Sequence, residues 1–323
     1  MLSVYVARPQ GLIRSELQAG ESLARDALWI DLLEPTPSEE KLVEQALSID
    51  VPTREEMREI ESSNRLYEEN GVLYMTATIV TKLDTDLPES TQVTFILTPS
   101  TIITNRYVDP LPFRRFISYA EKHPGICTSP AMLLAGILET IVNRIADVIE
   151  RVAANLDALS TEIFARPKRR SGISRDFRTV LEHVGQNGEL TSKARESLVS
   201  LNRLLVFVQQ ANGQLSQDSR SRFRTLSRDV GAMSDHASFL GDKVSFTLDA
   251  TLGMVSIEQN NILKIFSVVT VFLLPPSVIA GFFGMNFTHI PGLTDPWGWW
   301  AALTIMVLSA VVPYWIFKLR GWL

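Results

Sequence analysis

Cysteine is almost missing from this sequence: Cys127 stands alone in 323 residues. That excludes an internal disulfide framework and a cysteine-based zinc cluster. Histidine is nearly as scarce, and His123, His183 and His236 lie too far apart for ligand-like spacing. An excess of positive charge is also lacking, with 31 Lys and Arg against 36 Asp and Glu and a net charge of -5. Affinity for nucleic acid comes mostly from cationic contacts to phosphate, so nucleic acid is not expected as a partner. No glycine-rich phosphate loop, His-Glu metal motif or nucleophile elbow occurs. The sequence therefore offers no catalytic residue and no catalytic cofactor, and no enzyme is expected. The opening "MLSVYVARPQG" has no basic segment followed by an apolar run and a small-residue cleavage site. A cleaved signal peptide is not expected, and the start of the chain should stay in the cytoplasm.

What is present is concentrated at the other end. Residues 265–283, "IFSVVTVFLLPPSVIAGFF", carry no charge over about 19 positions, enough for a helix to cross a bilayer. A second uncharged run of about 21 residues, 297–317, reads "WGWWAALTIMVLSAVVPYWIF". Trp297, Trp299, Trp300, Tyr314 and Trp315 cluster at its ends, where amphipathic rings sit at headgroup level. Lys264 precedes the first run, while Lys318 and Arg320 follow the second. The connection between them has no Lys or Arg, and Asp295 is its one formal charge. The positive-inside rule puts both termini in the cytoplasm and the connecting loop outside.

The preceding chain divides in two. From 1 to 125, "SVYVA", "LWIDL", "VLYMTATIV", "TQVTFIL" and "TIITN" read as strands, and "TPSEEKLVEQALSI" as a helix entered at Pro37. This predicts an α/β domain. From 126 to 264 the pattern is a long-helix stalk: one helix over about 128–163, a break at "ARPKRRSG", and another over about 173–211. After the polar turn "ANGQLSQD" no proline occurs until Pro275, so one helix of roughly 100 Å can run over about 215–284.

The periodicity along that last helix changes character. Phe223, Leu226, Val230, Met233, Ala237, Leu240 and Val244 alternate spacings of three and four, as in a coiled-coil seam. Nearer the membrane the same spacing selects Asn260, Leu263, Ser267, Thr270, Leu274, Ser277, Gly281 and Gly284. Lipid would reject so polar a stripe, so it faces protein or water. Small and hydroxyl residues let membrane helices pack closely. Alternatively, identical helices from several subunits enclose an aqueous path with the stripe as its wall. Such a wall, without fixed charge, suits an ion that travels with much of its hydration shell, and Asn286 adds amide oxygens at the outer end.

Two C-terminal spans, Gly284-Met285-Asn286 closing the first, Pro275 within it and the basic tail "KLRGWL" together resemble the CorA family of divalent-cation transporters. The plan is similar along the whole chain, and residue-level likeness is close from about 258 onward. The resemblance implies a homopentameric, multi-pass channel in the plasma (inner) membrane. Its segments are 1–125 α/β domain, 126–264 stalk, 265–284 pore-lining span, 285–296 external loop, 297–317 outer span and 318–323 basic tail. It implies a selectivity filter of Gly284, Met285 and Asn286, with Asn286 meeting the metal through hydration water.

Mg²⁺ takes an octahedral oxygen shell and gives up water reluctantly. Neutral amides can accept hydrogen bonds from its waters without holding it as tightly as a carboxylate ring. A divalent ion falling through about 100 mV gains about 4.6 kcal/mol, so inward flow needs no ATP. Mg²⁺ and Co²⁺ are the ions the resemblance implies, with Mg²⁺ also regulatory. Many relatives carry an acidic residue just after the signature, and this loop instead reads Phe287-Thr288-His289-Ile290-Pro291-Gly292. The "IPG" is more similar to the zinc-associated ZntB branch, and imidazole at His289 suits zinc better than magnesium. A proton-coupled zinc transporter is therefore the alternative. A membrane-anchored coiled-coil sensor or scaffold is the alternative of another class, favoured by the long helices and the hairpin anchor.

A gate is expected at Leu263 and Phe266, where the wall turns from hydroxyls to bulky apolar groups that can expel water from a narrow bore. Relatives carry a hydrophobic constriction at matching positions. Leu263 lies on the stripe; Phe266 is offset by one position, and packing against a neighbouring helix or lipid is its other reading. Leu274 is the next candidate. Relatives also close when Mg²⁺ occupies carboxylates between cytoplasmic domains, but Thr225 stands near the corresponding place. Asp218, Asp229, Asp235, Asp242 and Asp249 mark the stalk, and Asp84 and Asp86 a loop, without forming a motif.

Overall fold

In the computed structural model of the chain, residues 1–15, 26–83, 85, 88–165, 176–211, 215–285 and 296–320 are described. Seven strands form one sheet: β1 (Leu2–Arg8), β2 (Gly11–Ser15), β3 (Ala27–Leu33), β4 (Leu66–Glu69), β5 (Val72–Thr81), β6 (Glu89–Leu97) and β7 (Ile102–Arg106). Their spatial order is β2-β1-β3-β7-β6-β5-β4. The β3–β7 pair is parallel, and every other neighbouring pair is antiparallel. The described chain also holds the helices α1 (Pro37–Leu47), α2 (Ser62–Arg65), α3 (Leu111–Ala120), α4 (Pro130–Phe164), α5 (Phe177–Gln210), α6 (Gln217–Phe283) and α7 (Gly298–Leu319), and short 3-10 turns at Glu56–Arg58 and Pro124–Ile126.

All five strands and the helix expected in the first 125 residues are present. The expected long helices appear as α4, α5, α6 and α7 within a few residues of their predicted ends. Four elements were not anticipated: β2, β4, α2 and α3. The α1 helix starts as its sequence dictates. Thr36 and Glu39 form a reciprocal capping box, and Pro37 occupies the first turn, where its missing N–H would have had no partner. The β4–β5 hairpin turns at Asn70-Gly71, both with positive φ (52° and 77°), the conformation that a two-residue hairpin of this twist requires.

Alternation of side chains along the strands gives the sheet two apolar faces. On one, Val4, Ile30, Leu32, Tyr74, Ile96 and Ile103 pack with Val43 of α1. On the other, Trp29 meets Phe116 of α3 edge-on at 5.9 Å and Phe95 stacks with Phe113 at 6.4 Å. Buried charge ties the parallel strands together. Arg106 of β7 donates to Asp31 of β3 through Nε at 2.9 Å and Nη2 at 2.7 Å, while Thr104 Oγ1 donates to the same carboxylate at 2.7 Å. Burial opposes the Arg106 charge, yet Asp31 and Asp109 together hold the guanidinium above its ordinary value.

The contacts divide the chain into two units, Met1–Asp249 and Ala250–Leu323. In the first, most of the predicted seam of α6 is buried: Phe223, Leu226, Val230, Ala237 and Leu240 are nearly or wholly inaccessible, while Met233 and Val244 are half-buried. It is covered by this chain's own helices. Arg222 pairs with Glu139 of α4 at 2.8 Å, Lys243 with Asp157 of α4 at 2.6 Å, and Ser227 donates to Asn202 of α5 at 3.2 Å. In the second unit, Phe272 of α6 lies 6.2 Å from both Tyr314 and Phe317 of α7. Both helices are long and apolar enough to cross a membrane.

Candidate functional site

The α6 backbone sets the geometry of the polar stripe. Over the apolar span 265–283, the residues of α6 that are half-covered are Val268, Phe272, Pro275, Pro276, Ile279 and Phe283. On α7 the more covered positions include Gly298, Ala302, Ser309, Ala310, Pro313 and Phe317. Small residues on one helix receiving large ones from the other is the packing expected without a hydrophobic driving force. At 3.6 residues per turn, the centre of the covered α6 face lies about 170° from the centre of the Leu263–Gly281 stripe. The stripe therefore points away from α7. Asn260, Leu263, Ser267, Thr270, Leu274, Ser277, Gly281 and Gly284 are all exposed.

The hydroxyls of the stripe have their protons committed. Ser267 Oγ donates to Leu263 O at 2.8 Å, Thr270 Oγ1 to Phe266 O at 2.8 Å, and Ser277 Oγ to Leu273 O at 2.7 Å. What each presents outward is lone pairs. Water bound to a cation directs its hydrogens outward, so these oxygens can accept from a hydrated cation without a change of rotamer. Gly281 adds an open patch of helix surface, since a Cβ built there would meet nothing within 4 Å. At Gly284 a Cβ would come within 3.0 Å of Ala280 O, so glycine fits the last turn best.

The described chain carries the signature as far as Met285, two residues past the end of α6, whose backbone N donates to Phe282 O at 3.4 Å. Asn286 and His289 lie outside the described residues, as do the rest of 286–295. Leu263, Phe266 and Leu274 are 55%, 67% and 59% exposed. Leu263 shares the stripe with Ser267, and Phe266 sits about 60° to one side of it.

The stalk acids are dispersed. Asp218, Asp229, Asp235, Asp242 and Asp249 are all exposed on α6, and no cluster of three or more His, Cys, Asp or Glu is found among the described residues. Asp84 and Asp86 lie outside them. Thr225 is exposed and bonds its own helix through Ser221 O. His123 stacks on Tyr119, with Nδ1 2.8 Å from the Tyr119 carbonyl, and His236 lies beside Phe239. Burial pushes the Cys127 thiol up, as in an inert core cysteine. The sequence had not distinguished the α7-facing side of α6. Its signal was Phe272, Ile279 and Phe283 at helical spacing, against small residues at similar spacing in α7.

An α/β unit with long helices, followed by a pair of apolar helices presenting one polar stripe, defines a class: membrane proteins with a large folded unit preceding a two-helix anchor. The chain belongs to the CorA-like Mg²⁺ transporter protein family, whose match covers residues 25–319. It is 30% identical over 323 residues, all of both chains, to a protein of Pasteurella multocida (strain Pm70) named Magnesium transport protein CorA. It is 31% identical over 327 residues, again covering both chains, to the protein of that name from Salmonella typhimurium. The fold is similar to that of the CorA magnesium transporter from Methanocaldococcus jannaschii, with a TM-score of 0.77 at 19% identity over 100% of this chain and 99% of the other. A ZntB cytoplasmic domain from Vibrio parahaemolyticus matches 78% of this chain and 96% of its own, at TM-score 0.58 and 11% identity. Both likenesses concern fold.

Proposed function

We propose that this protein is a channel-like transporter that moves hydrated Mg²⁺, and Co²⁺, into the cytoplasm down the electrochemical gradient. The observation that carries the reading is the uncovered stripe of α6, turned away from α7 with its lone pairs outward. Full-length identity to proteins named for magnesium transport supports the choice of ion.

In this reading a homopentamer sits in the plasma membrane with both termini cytoplasmic. Residues 1–125 and 126–264 form its cytoplasmic domain and stalk, 265–284 line the pore, 285–296 form the outer loop, 297–317 face lipid and 318–323 make the inner tail. Five copies of Gly284, Met285 and Asn286 form the filter, where Asn286 accepts hydrogen bonds from the ion's waters. The ion then passes Gly281, Ser277, Leu274, Thr270 and Ser267. Leu263 and Phe266 close the bore above Asn260 by excluding water. Mg²⁺ on the cytoplasmic side favours the closed state.

The test is flux into liposomes holding the purified protein. Uptake of Mg²⁺ and Co²⁺ driven by membrane potential, and blocked by cobalt hexaammine, is expected. Zn²⁺ uptake that requires a proton gradient, without Mg²⁺ flux, would replace this reading with the ZntB-like one. Absence of any divalent flux would leave the scaffold.

A further inference from the structure

The β4 strand covers β5 only as far as Met75, which pairs with Leu66. Beyond that point the outer edge of β5 would be an open row of peptide groups. The α5 helix closes it: Thr78 N donates to Ser200 Oγ at 2.9 Å, and Ser197 Oγ donates to Thr78 O at 3.0 Å. Between this closure and α2 lies a cavity of about 430 Å³, within the range of small-molecule sites. Arg65, Arg195 and Arg203 reach it from two elements, with Glu196 as its one carboxylate. Ile60, Leu66 and Val199 form an apolar part of the wall.

Arg65 is held in place. Its Nη2 donates to Thr78 Oγ1 at 2.7 Å, whereas its Nε is shut off from solvent without a hydrogen-bond partner. Buried donors are paired in the great majority of cases, so this one is an exception; closed to solvent, it is closed to a ligand too, which would meet Arg65 through the other atoms that line the cavity. Burial pulls the Arg65 guanidinium below its ordinary value; Glu196 opposes the fall and Arg203 adds to it. A bound anion would reverse that balance. Arg195 and Arg203 form no ion pair among the described residues.

We propose that this cavity binds a small organic phosphate. Its phosphate lies among Arg65, Arg195 and Arg203, and its organic part rests on Ile60, Leu66 and Val199. Guanidinium forks match phosphate oxygens two at a time, and a tetrahedral group can engage several forks that a planar carboxylate cannot. Glu196 offers an acceptor to a hydroxyl or amine of the organic part and disfavours a bare polyanion. Nothing in this site depends on the ion path.

Calorimetry on the full chain in detergent, without added divalent ions, tests it with AMP, glucose 6-phosphate and orthophosphate as probes. Saturable binding of at least one organic phosphate, tighter than orthophosphate, is expected. The double variant Arg195→Gln/Arg203→Gln, at exposed positions, should melt like the parent yet bind at least tenfold more weakly. Val199→Ser should weaken the organic phosphate and leave orthophosphate unchanged. Equal affinity for all three probes, no binding of either organic phosphate, or undiminished binding by the double variant would each overturn the proposal. So would a double variant that dissociates the oligomer while the parent binds no phosphate, since the arginines would then meet carboxylates of a neighbouring copy.

Discussion

One helix, α6, carries the same three-and-four spacing into two different settings. Over Phe223–Leu240 the spaced positions are apolar and disappear beneath α4 and α5 of the same chain. Over Asn260–Gly284 they are hydroxyl, glycine, amide and leucine, and the chain leaves them uncovered. Periodicity reports that a face exists; chemistry reports what it faces. The first stripe completes a core that one copy can bury alone. The second cannot be satisfied by lipid and has no cover within its own unit, which is what a stripe shared among several copies looks like from one of them.

Breaking the first stripe should cost the most stability. Phe223 is fully buried, so Phe223→Ala should lower unfolding stability by about 3–5 kcal/mol, read by denaturant unfolding of the purified chain. Breaking the second should cost transport and leave stability alone. Asn286→Ala is expected to assemble and insert normally yet lose about tenfold or more of its divalent flux, the equivalent of one or two hydrogen bonds at ~1 kcal/mol each. Parent-like flux in that variant would remove Asn286 from the filter. Leu263→Ala should conduct at high internal Mg²⁺, when the parent is closed, and Phe266→Ala should do so only if it shares the gate. Tight closure in both moves the barrier to Leu274. The smallest effect is expected from Thr270→Val, which keeps the shape and removes one acceptor per subunit. A fall in flux of about fivefold or less corresponds to ~1 kcal/mol, with melting unchanged.

The contrast also explains what the sequence made legible. The α6 helix could be read end to end because no proline interrupts it before Pro275, and its stripes because a 3.6-residue period survives any tertiary arrangement. Short elements were harder. The β4 strand, "LYEE", is four residues at a sheet edge with no alternation to speak of, although Asn70-Gly71 marked its hairpin. In α3, two prolines at the start obscured a helix whose buried face is Phe113, Phe116 and Ala120. The direction of the polar stripe depends on where α7 packs, which neither helix specifies by itself. The Arg65 cavity was illegible for a similar reason: Arg65 is more than a hundred positions from Arg195 and Arg203 and meets them only because α5 seals the edge of β5.

The back-bonded hydroxyls have one more consequence, for water itself. Ser267, Thr270 and Ser277 spend their hydrogens on the helix, so water along this wall must turn its hydrogens toward the protein and its oxygens toward the axis. In the proposed pore, a column lined this way is polarised before any ion enters. It offers a cation the end of the water dipole that it needs and an anion the wrong one. It also breaks the alternation of donor and acceptor along which a proton would hop from side chain to side chain. Discrimination by sign of charge can thus arise in a passage whose wall bears no charge.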